Sequence, residues 1–236
     1  MLIIVDKRLS SEAQKELTHY GEVLLFGTEH ITYEAVSCHP DVFICFLNGK
    51  LIVAPNCPDE IIRKFSDNGI QFLTGVKPVG GLYPESALYN ATITDNLLIH
   101  NLNFTDKSIF ENAPDLKHIN VNQAYTRCNL LHITENNFIT SDRGIEKKIK
   151  AHGFNVLYVN PEQIVLPGFN HGFFGGCCGK HKNCLFINGN LKFIQEEENV
   201  RELCHLLKFE IIELTKKPLF DIGSILFIQE EEDMND

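Results

Sequence analysis

No two of the chain's eight cysteines stand in a C-x-x-C pair, so a thioredoxin-type redox motif is excluded. They are scattered over 236 residues and lack the tight framework of a small secreted domain. They read as reduced thiols in a cytoplasmic protein. Basic stripes are missing as well. Thirty-one acidic residues outnumber twenty-one lysines and arginines, for a formal charge of −10, with acid concentrated in EEE (Glu196–Glu198) and in EEEDMND. That balance disfavours binding to a nucleic-acid backbone and suits a cationic ligand. Long apolar runs are absent: MLIIV stops at Asp6, too short for a signal segment or a membrane span. What is present is 44% hydrophobic, enough to bury a sizeable core, and residues 1–236 are read as one domain.

One pattern recurs five times: an amphipathic helix followed by a short apolar strand. The helices are LSSEAQKELTHYG, PDEIIRKFSDNG, TDKSIFENAPDLK, RGIEKKIKAHG and EEENVRELCHLL. Gly21, Gly69 and Gly153 stand where a left-handed residue ends a helix. The strands that follow, EVLLF, IQFLT, HINV, FNVLYV and FEIIEL, are apolar enough to predict burial on both faces.

Hairpins lie between these pairs. VFICFLNGKLIVAP (Val42–Pro55) carries Asn-Gly between two apolar runs, and CLFINGNLKFI (Cys184–Ile194) repeats the device. ATITDNLLIHN and LLHITENNFITSD use other polar turns, and QAYTRCN leads into the second of these as the start of a strand. SILFI near the C-terminus is a first strand whose partners are supplied by the N-terminal strand, helix and strand. The period is about 47 residues, within the range of propellers and arrays. The prediction is an α/β fold: a five-fold pseudosymmetric α/β propeller of ββαβ repeats in which the two ends complete one split unit. A doubly wound sheet is the alternative, but it needs neither the hairpins nor the split.

In such a ring the segments leading into the five first strands share one centre. Those segments bring His39, Asp41, Asn90, Arg127, Cys128, His171 and Asp221 together from distant positions. A buried polar cluster of this kind is either a mutual hydrogen-bond network or a ligand site. Arg127 and Cys128 are neighbours and would face opposite sides if extended. Cys38, Cys45, Cys57 and Cys204 read as buried hydrophobes. HGFFGGCCGKHKNC (His171–Cys184) has three readings: a loop whose glycines allow close approach at a crowded axis, a metal site using Cys178, His181 and Cys184 with His171, or an alternative nucleophile at Cys177 or Cys178.

HPD, YPES, QAYTRCN, ITSDRGI, LPGFNHGFFGG and PLFDIGSI resemble the pentein superfamily of guanidino-group-modifying enzymes, through an uncharacterised bacterial branch. The resemblance covers essentially the whole chain. It implies a Cys nucleophile, a His two repeats before it, and carboxylates that hold the guanidinium. Carried over residue by residue, Cys128 becomes the nucleophile, His39 the acid/base and Asp221 the carboxylate that orients the His or the substrate. Asp41, Asn90, Arg127 and His171 become substrate-binding candidates. Superfamily enzymes keep their Cys near the C-terminus, whereas Cys128 is mid-chain, which implies a ring opened at a different point. The implied substrate is a small cationic guanidino compound, with no cofactor, metal, nucleic acid or membrane. The implied activity is hydrolysis of a guanidinium C–N bond by deiminase- or amidinohydrolase-type chemistry. Two other readings remain open: an amidinotransferase, and a non-catalytic binding protein like the ribosome anti-association factors of this fold.

Overall fold

The computed structural model describes residues 1–47 and 49–228. It opens with β1 (Leu2–Asp6), α1 (Ser11–Leu17) and β2 (Glu22–Phe26). Four complete units of hairpin, helix and strand follow. The first is β3 (Ile44–Leu47), β4 (Lys50–Val53), α2 (Asp59–Asp67) and β5 (Phe72–Thr74). The second is β6 (Thr92–Ile93), β7 (Leu97–His100), α3 (Lys107–Glu111) and β8 (Lys117–Asn120). A single turn, α4 (Thr126–Asn129), precedes the third unit, β9 (Leu130–Thr134), β10 (Asn137–Thr140), α5 (Arg143–Ala151) and β11 (Asn155–Tyr158). The fourth is β12 (Cys178–His181), β13 (Cys184–Ile187), α6 (Glu197–Leu206) and β14 (Glu210–Glu213). Last comes β15 (Leu226–Ile228), which pairs antiparallel with β1 in the register Leu2↔Ile228 and Ile4↔Leu226.

These strands form five three-stranded sheets, and in each the middle strand runs antiparallel to the first and parallel to the third. The split unit is therefore real: the two ends of the chain build the sheet β15-β1-β2. Four helices dock by the same device, two buried residues four positions apart: Ala13 and Leu17, Ile61 and Phe65, Ile145 and Ile149, Val200 and Cys204. That spacing places both side chains on one face, and each large apolar one contributes about 1.5–3 kcal/mol. Ser10, Asp106 and Asp142 cap α1, α3 and α5 by accepting a backbone N–H of the first turn.

Three expectations are corrected. The strands after the helices are not buried on both faces: β5 exposes Leu73 and β8 is exposed at three of its four residues. Each forms the outer edge of its sheet, while the middle strands are the buried ones. The hairpin predicted over Cys184–Ile194 sits six residues earlier, between β12 and β13, with its turn at Lys182 in the left-handed region. Beyond β13 the chain leaves the sheet, since Glu213 accepts from Leu191 N and Asn190 Nδ2 and Leu191–Phe193 forms a helical turn. Gly21 does not carry positive φ, unlike Gly69 at 65° and Gly153 at 90°. It is small because a Cβ there would lie 2.6 Å from the Met1 carbonyl oxygen. The Asn48 half of the first hairpin's turn and the acidic run after Ile228 lie outside the described residues.

Candidate active site

The segments that lead into the first strands are mostly not extended. Four contain one helical turn: Pro40–Val42, Glu85–Ala87, α4 and Gly175–Cys177. The fifth bends through Gly223 and Ser224, at φ 63° and 70°. The TRCN end of QAYTRCN is thus coiled where the start of a strand was expected, and Asn90 is the reason. Its backbone carbonyl accepts from Thr126 N at 3.1 Å and Arg127 N at 2.9 Å, and its Oδ1 accepts from Cys128 N at 3.2 Å. Its Nδ2 donates to the Asp41 carbonyl at 3.1 Å and to Cys128 Sγ at 3.2 Å. Gly175 lies against the same turn, where a Cβ would sit 2.6 Å from the carbonyl oxygens of Arg127 and Cys128.

Cys128 Sγ donates to Asp41 Oδ2 at 3.0 Å, and Ser224 Oγ donates to the same oxygen at 2.6 Å. A His39 ring nitrogen, an Asp41 carboxylate oxygen and Cys128 Sγ all lie within 4.8 Å of one another. The imidazole stands between two more buried carboxylates: Nε2 is 3.8 Å from Asp6 Oδ2 and Nδ1 is 4.0 Å from Asp221 Oδ1. Arg8 compensates Asp6 through Nε at 2.9 and 3.0 Å from its two oxygens, and donates onward to the Glu34 and Ala35 carbonyls. Asp221 accepts from Phe173 N at 2.8 Å and Gly223 N at 3.0 Å. Glycine is required around it, since a Cβ on Gly176 would lie 2.1 Å from Asp221 Oδ1 and one on Gly223 would lie 2.2 Å from His39 Cβ. His39 Nε2 and Asp41 Oδ1 have no hydrogen-bond partner among the described residues.

Burial dominates the titration of this cluster. It pushes the Cys128 thiol well above the ordinary range, helped by the charges of Asp41 and Asp221. It raises Asp221 to about 7 and lowers His39 to about 3, the Arg8 charge adding to the latter, so the imidazole is neutral at physiological pH. Asp41 is raised by the same desolvation, opposed by its hydrogen bonds from Ser224 and Cys128.

A cavity of about 450 Å³ opens over Cys128, His39 and Asp221. Tyr33, Tyr83, Tyr125, Phe169 and Phe173 form its walls. Tyr33 and Phe169 pair at 5.6 Å between ring centroids, as do Tyr83 and Tyr125, and Tyr33 Oη donates to Tyr125 Oη at 2.8 Å. The exposed rings of Phe169 and Tyr83 mark the mouth, and the buried thiol marks the inner end. Such walls suit a flat cation.

Of the residues singled out in the sequence, Cys128, His39, Asp221 and His171 line this cavity. Asp41 and Asn90 are fully buried and hold Cys128 rather than facing the opening. Arg127 is a correction: it lines a different cavity, because adjacent residues of one helical turn point to different sides. The metal reading of Cys178, His181 and Cys184 fails on the strand alternation. Cys178 and His181 are three residues apart on β12 and face opposite sides, and His181 stacks on Phe227. Cys177 is buried with its thiol donating to Phe173 O at 3.4 Å, and neither it nor Cys178 lines the cavity. The one group of donors able to hold a metal ion, among the described residues, is His39, Asp41 and Cys128. Sequence reasoning missed Asp6, Arg8, Ser224 and the aromatic walls. Asp6, a carboxylate closing an otherwise apolar buried strand, was the available signal.

The model of a family described as being of unknown function matches residues 4–226. A search of curated proteins by sequence finds no match. Among solved structures, DDAH from Pseudomonas aeruginosa, a cysteine-to-serine mutant complexed with citrulline, aligns with a TM-score of 0.54 and 12% identity over 90% of this chain and 91% of that one. Agmatine deiminase from C. jejuni gives 0.55 at 10% identity, covering 90% of this chain and 87% of its own. SxtG, an amidinotransferase of saxitoxin biosynthesis from Microseira wollei, gives 0.53 at 9% identity, with 90% and 87% covered. At these identities the likeness is one of fold alone.

Proposed function

We propose, for a chain that belongs to the DUF6873 family, that the cavity over Cys128 is the active site of a guanidino-group-modifying enzyme. In this reading residues 1–236 form one domain, a closed five-unit propeller, and the substrate is a small guanidinium or arginine-like cation hydrolysed without a cofactor. The observation that carries it is the meeting of a thiol, an imidazole and a carboxylate within 4.8 Å of one another, at the inner end of an aromatic-walled cavity. A non-catalytic pentein has no need of that set.

The chemistry follows from the charges. A guanidinium carbon is resonance-stabilised and a poor electrophile, and the Cys128 thiol is held protonated by burial and by two carboxylates. A cation arriving between Asp221 and the thiol offsets both effects: it favours the thiolate, and Asp221 localises its charge. The thiol proton passes along the 3.0 Å hydrogen bond to Asp41. Sγ then bonds to the guanidinium carbon, giving a tetrahedral adduct. The adduct expels ammonia or an amine after its nitrogen receives a proton from the His39–Asp221 pair, leaving an S-alkylthiouronium. Water, deprotonated by the His39–Asp221 pair, attacks the same carbon; the C–S bond breaks, the hydroxyl proton of the adduct passes to the released amine or to solvent, and Cys128 regains its proton from Asp41. An amine in place of water would make the reaction an amidino transfer.

The test is mechanism-based labelling with 2-chloroacetamidine, followed by digestion and mapping. Cys128 is expected to be labelled in preference to Cys184, the one cysteine that is not buried, and labelling is expected to vanish in His39→Ala. Labelling of Cys184 with Cys128 untouched would sink the proposal.

A further inference from the structure

The larger cavity, about 670 Å³, takes residues from the first strand of every sheet and is separate from the one over Cys128. Its walls are largely apolar, with Ile44, Ile93, Leu131, Ile225 and Phe227 among them, and Phe46 lies half-exposed beside it. Its titratable groups are Arg127, Lys180, His132, Asp95 and the neutral Cys45 thiol. We propose that this cavity binds a small organic carboxylate with an apolar body, its carboxylate held between Arg127 and Lys180.

The two cations are under-used among the described residues. Among the described residues the Arg127 guanidinium, with five N–H donors, makes no hydrogen bond or ion pair. Lys180 Nζ donates to the Ile133 carbonyl at 2.9 Å, leaving two N–H groups. His132 Nε2 is buried without a partner. Among the described residues Asp95 is the single acid lining the cavity; it is exposed and forms no ion pair there. In a chain of net charge −10, two cations are thus turned into one partly buried cavity with donors to spare. Burial of Lys180, and after it the Arg127 charge, depress its protonation, a standing cost that a bound anion offsets. An arginine fork and a lysine point charge together match a carboxylate, and the apolar walls match a hydrocarbon body that inorganic phosphate lacks. The inference does not depend on the activity assigned to Cys128.

Calorimetric titration of the full chain with octanoate tests it, with octylamine and inorganic phosphate as comparators. Saturable octanoate binding is expected, weakened at least about tenfold in Arg127→Met and in Lys180→Met and partly kept in Arg127→Lys. A thermal melt confirms that each variant is folded. Any of four results would overturn the assignment: no octanoate binding at millimolar concentration, equal binding of octylamine, binding of phosphate as tight as octanoate, or octanoate affinity unchanged in both folded methionine variants.

Discussion

The Cys128 thiol and the Asp41 carboxylate, 87 residues apart in sequence, meet at 3.0 Å in the interior, and the contact opposes thiol activation. A carboxylate beside a thiol stabilises S–H over the thiolate, and the full burial of Cys128 adds to it. Under the proposed function, a thiol held this way reacts slowly with neutral electrophiles and faster once a cation changes the local balance.

Asp41→Asn separates these effects. Removing the like charge should raise alkylation of Cys128 by neutral iodoacetamide about tenfold at pH 8, because a neighbouring carboxylate no longer opposes the thiolate. The same substitution should slow labelling by cationic 2-chloroacetamidine, because the proton acceptor and part of the negative field are gone. Rates for both reagents, read by mass spectrometry, should move in opposite directions. A shift of both in one direction would show that Asp41 acts only on access to the thiol.

His39 and Asp221 make opposite contributions to the pH dependence of stability. Asp221 is raised to about 7 by burial, so its share is complete below about pH 4 and is lost as pH rises through 7. His39 is lowered to about 3, so its share is present above about pH 6.5 and is lost as pH falls toward 3. Between those limits the pair holds one proton in the folded chain and one in the unfolded chain, and the two slopes cancel. Melting temperature should therefore change little with pH across this window on account of the pair. Measured as the difference from wild type, the Tm of His39→Gln should fall with rising pH across this window and that of Asp221→Asn should rise. Parallel profiles for the two variants would contradict the assignment.

Gly176→Ala reports on packing around the carboxylate. The added methyl would stand 2.1 Å from Asp221 Oδ1, in a turn that is also fixed by two hydrogen bonds from Ile222 N and Ser224 N to the Gly176 carbonyl. Overpacking at a site this crowded costs about 1–3 kcal/mol, measurable as a lower urea midpoint. The displacement of Asp221 should also slow amidine labelling of Cys128 in the folded variant. Gly69→Ala is the control: no atom lies within 4 Å of its Cβ position, so its cost is the backbone strain of φ 65° alone. It should leave labelling unchanged.

The fold was legible because its unit repeats: a period-2 hairpin, a helix with apolar residues four apart and a short strand recur with similar spacing, and SILFI lacked partners that only the N-terminus supplies. Burial of the outer strands was misread because apolar content does not say which strand of a sheet is the edge. In the site, Cys128, His39 and Asp221 were legible through their positions before the first strands. Asp41 and Asn90 were found for the same reason, but their place behind the thiol depends on the coil of Thr126–Asn129, which is set by a residue from the preceding unit. Asp6 and Arg8 stayed hidden, since their strand crosses to the centre only once the split unit is assembled.

Two of the three donors grouped at the thiol carry an atom without a partner, His39 Nε2 and Asp41 Oδ1. A neutral imidazole, a carboxylate and a cysteine sulfur within 4.8 Å match the ligand types and count of a three-residue zinc site, provided the thiol gives up its proton. Zn²⁺ should therefore compete with a cationic electrophile for the same group. Preincubation with Zn²⁺ is expected to slow 2-chloroacetamidine labelling of Cys128 at least tenfold at pH 8, with less effect at pH 6, where proton competition for the sulfur is stronger. EDTA should restore the rate in full. His39→Ala and Asp41→Asn, each lacking one donor, should need markedly higher Zn²⁺ to protect the thiol against iodoacetamide. Equal protection in wild type and both variants would mean that the metal acts elsewhere on the surface and that the three side chains do not close around one ion.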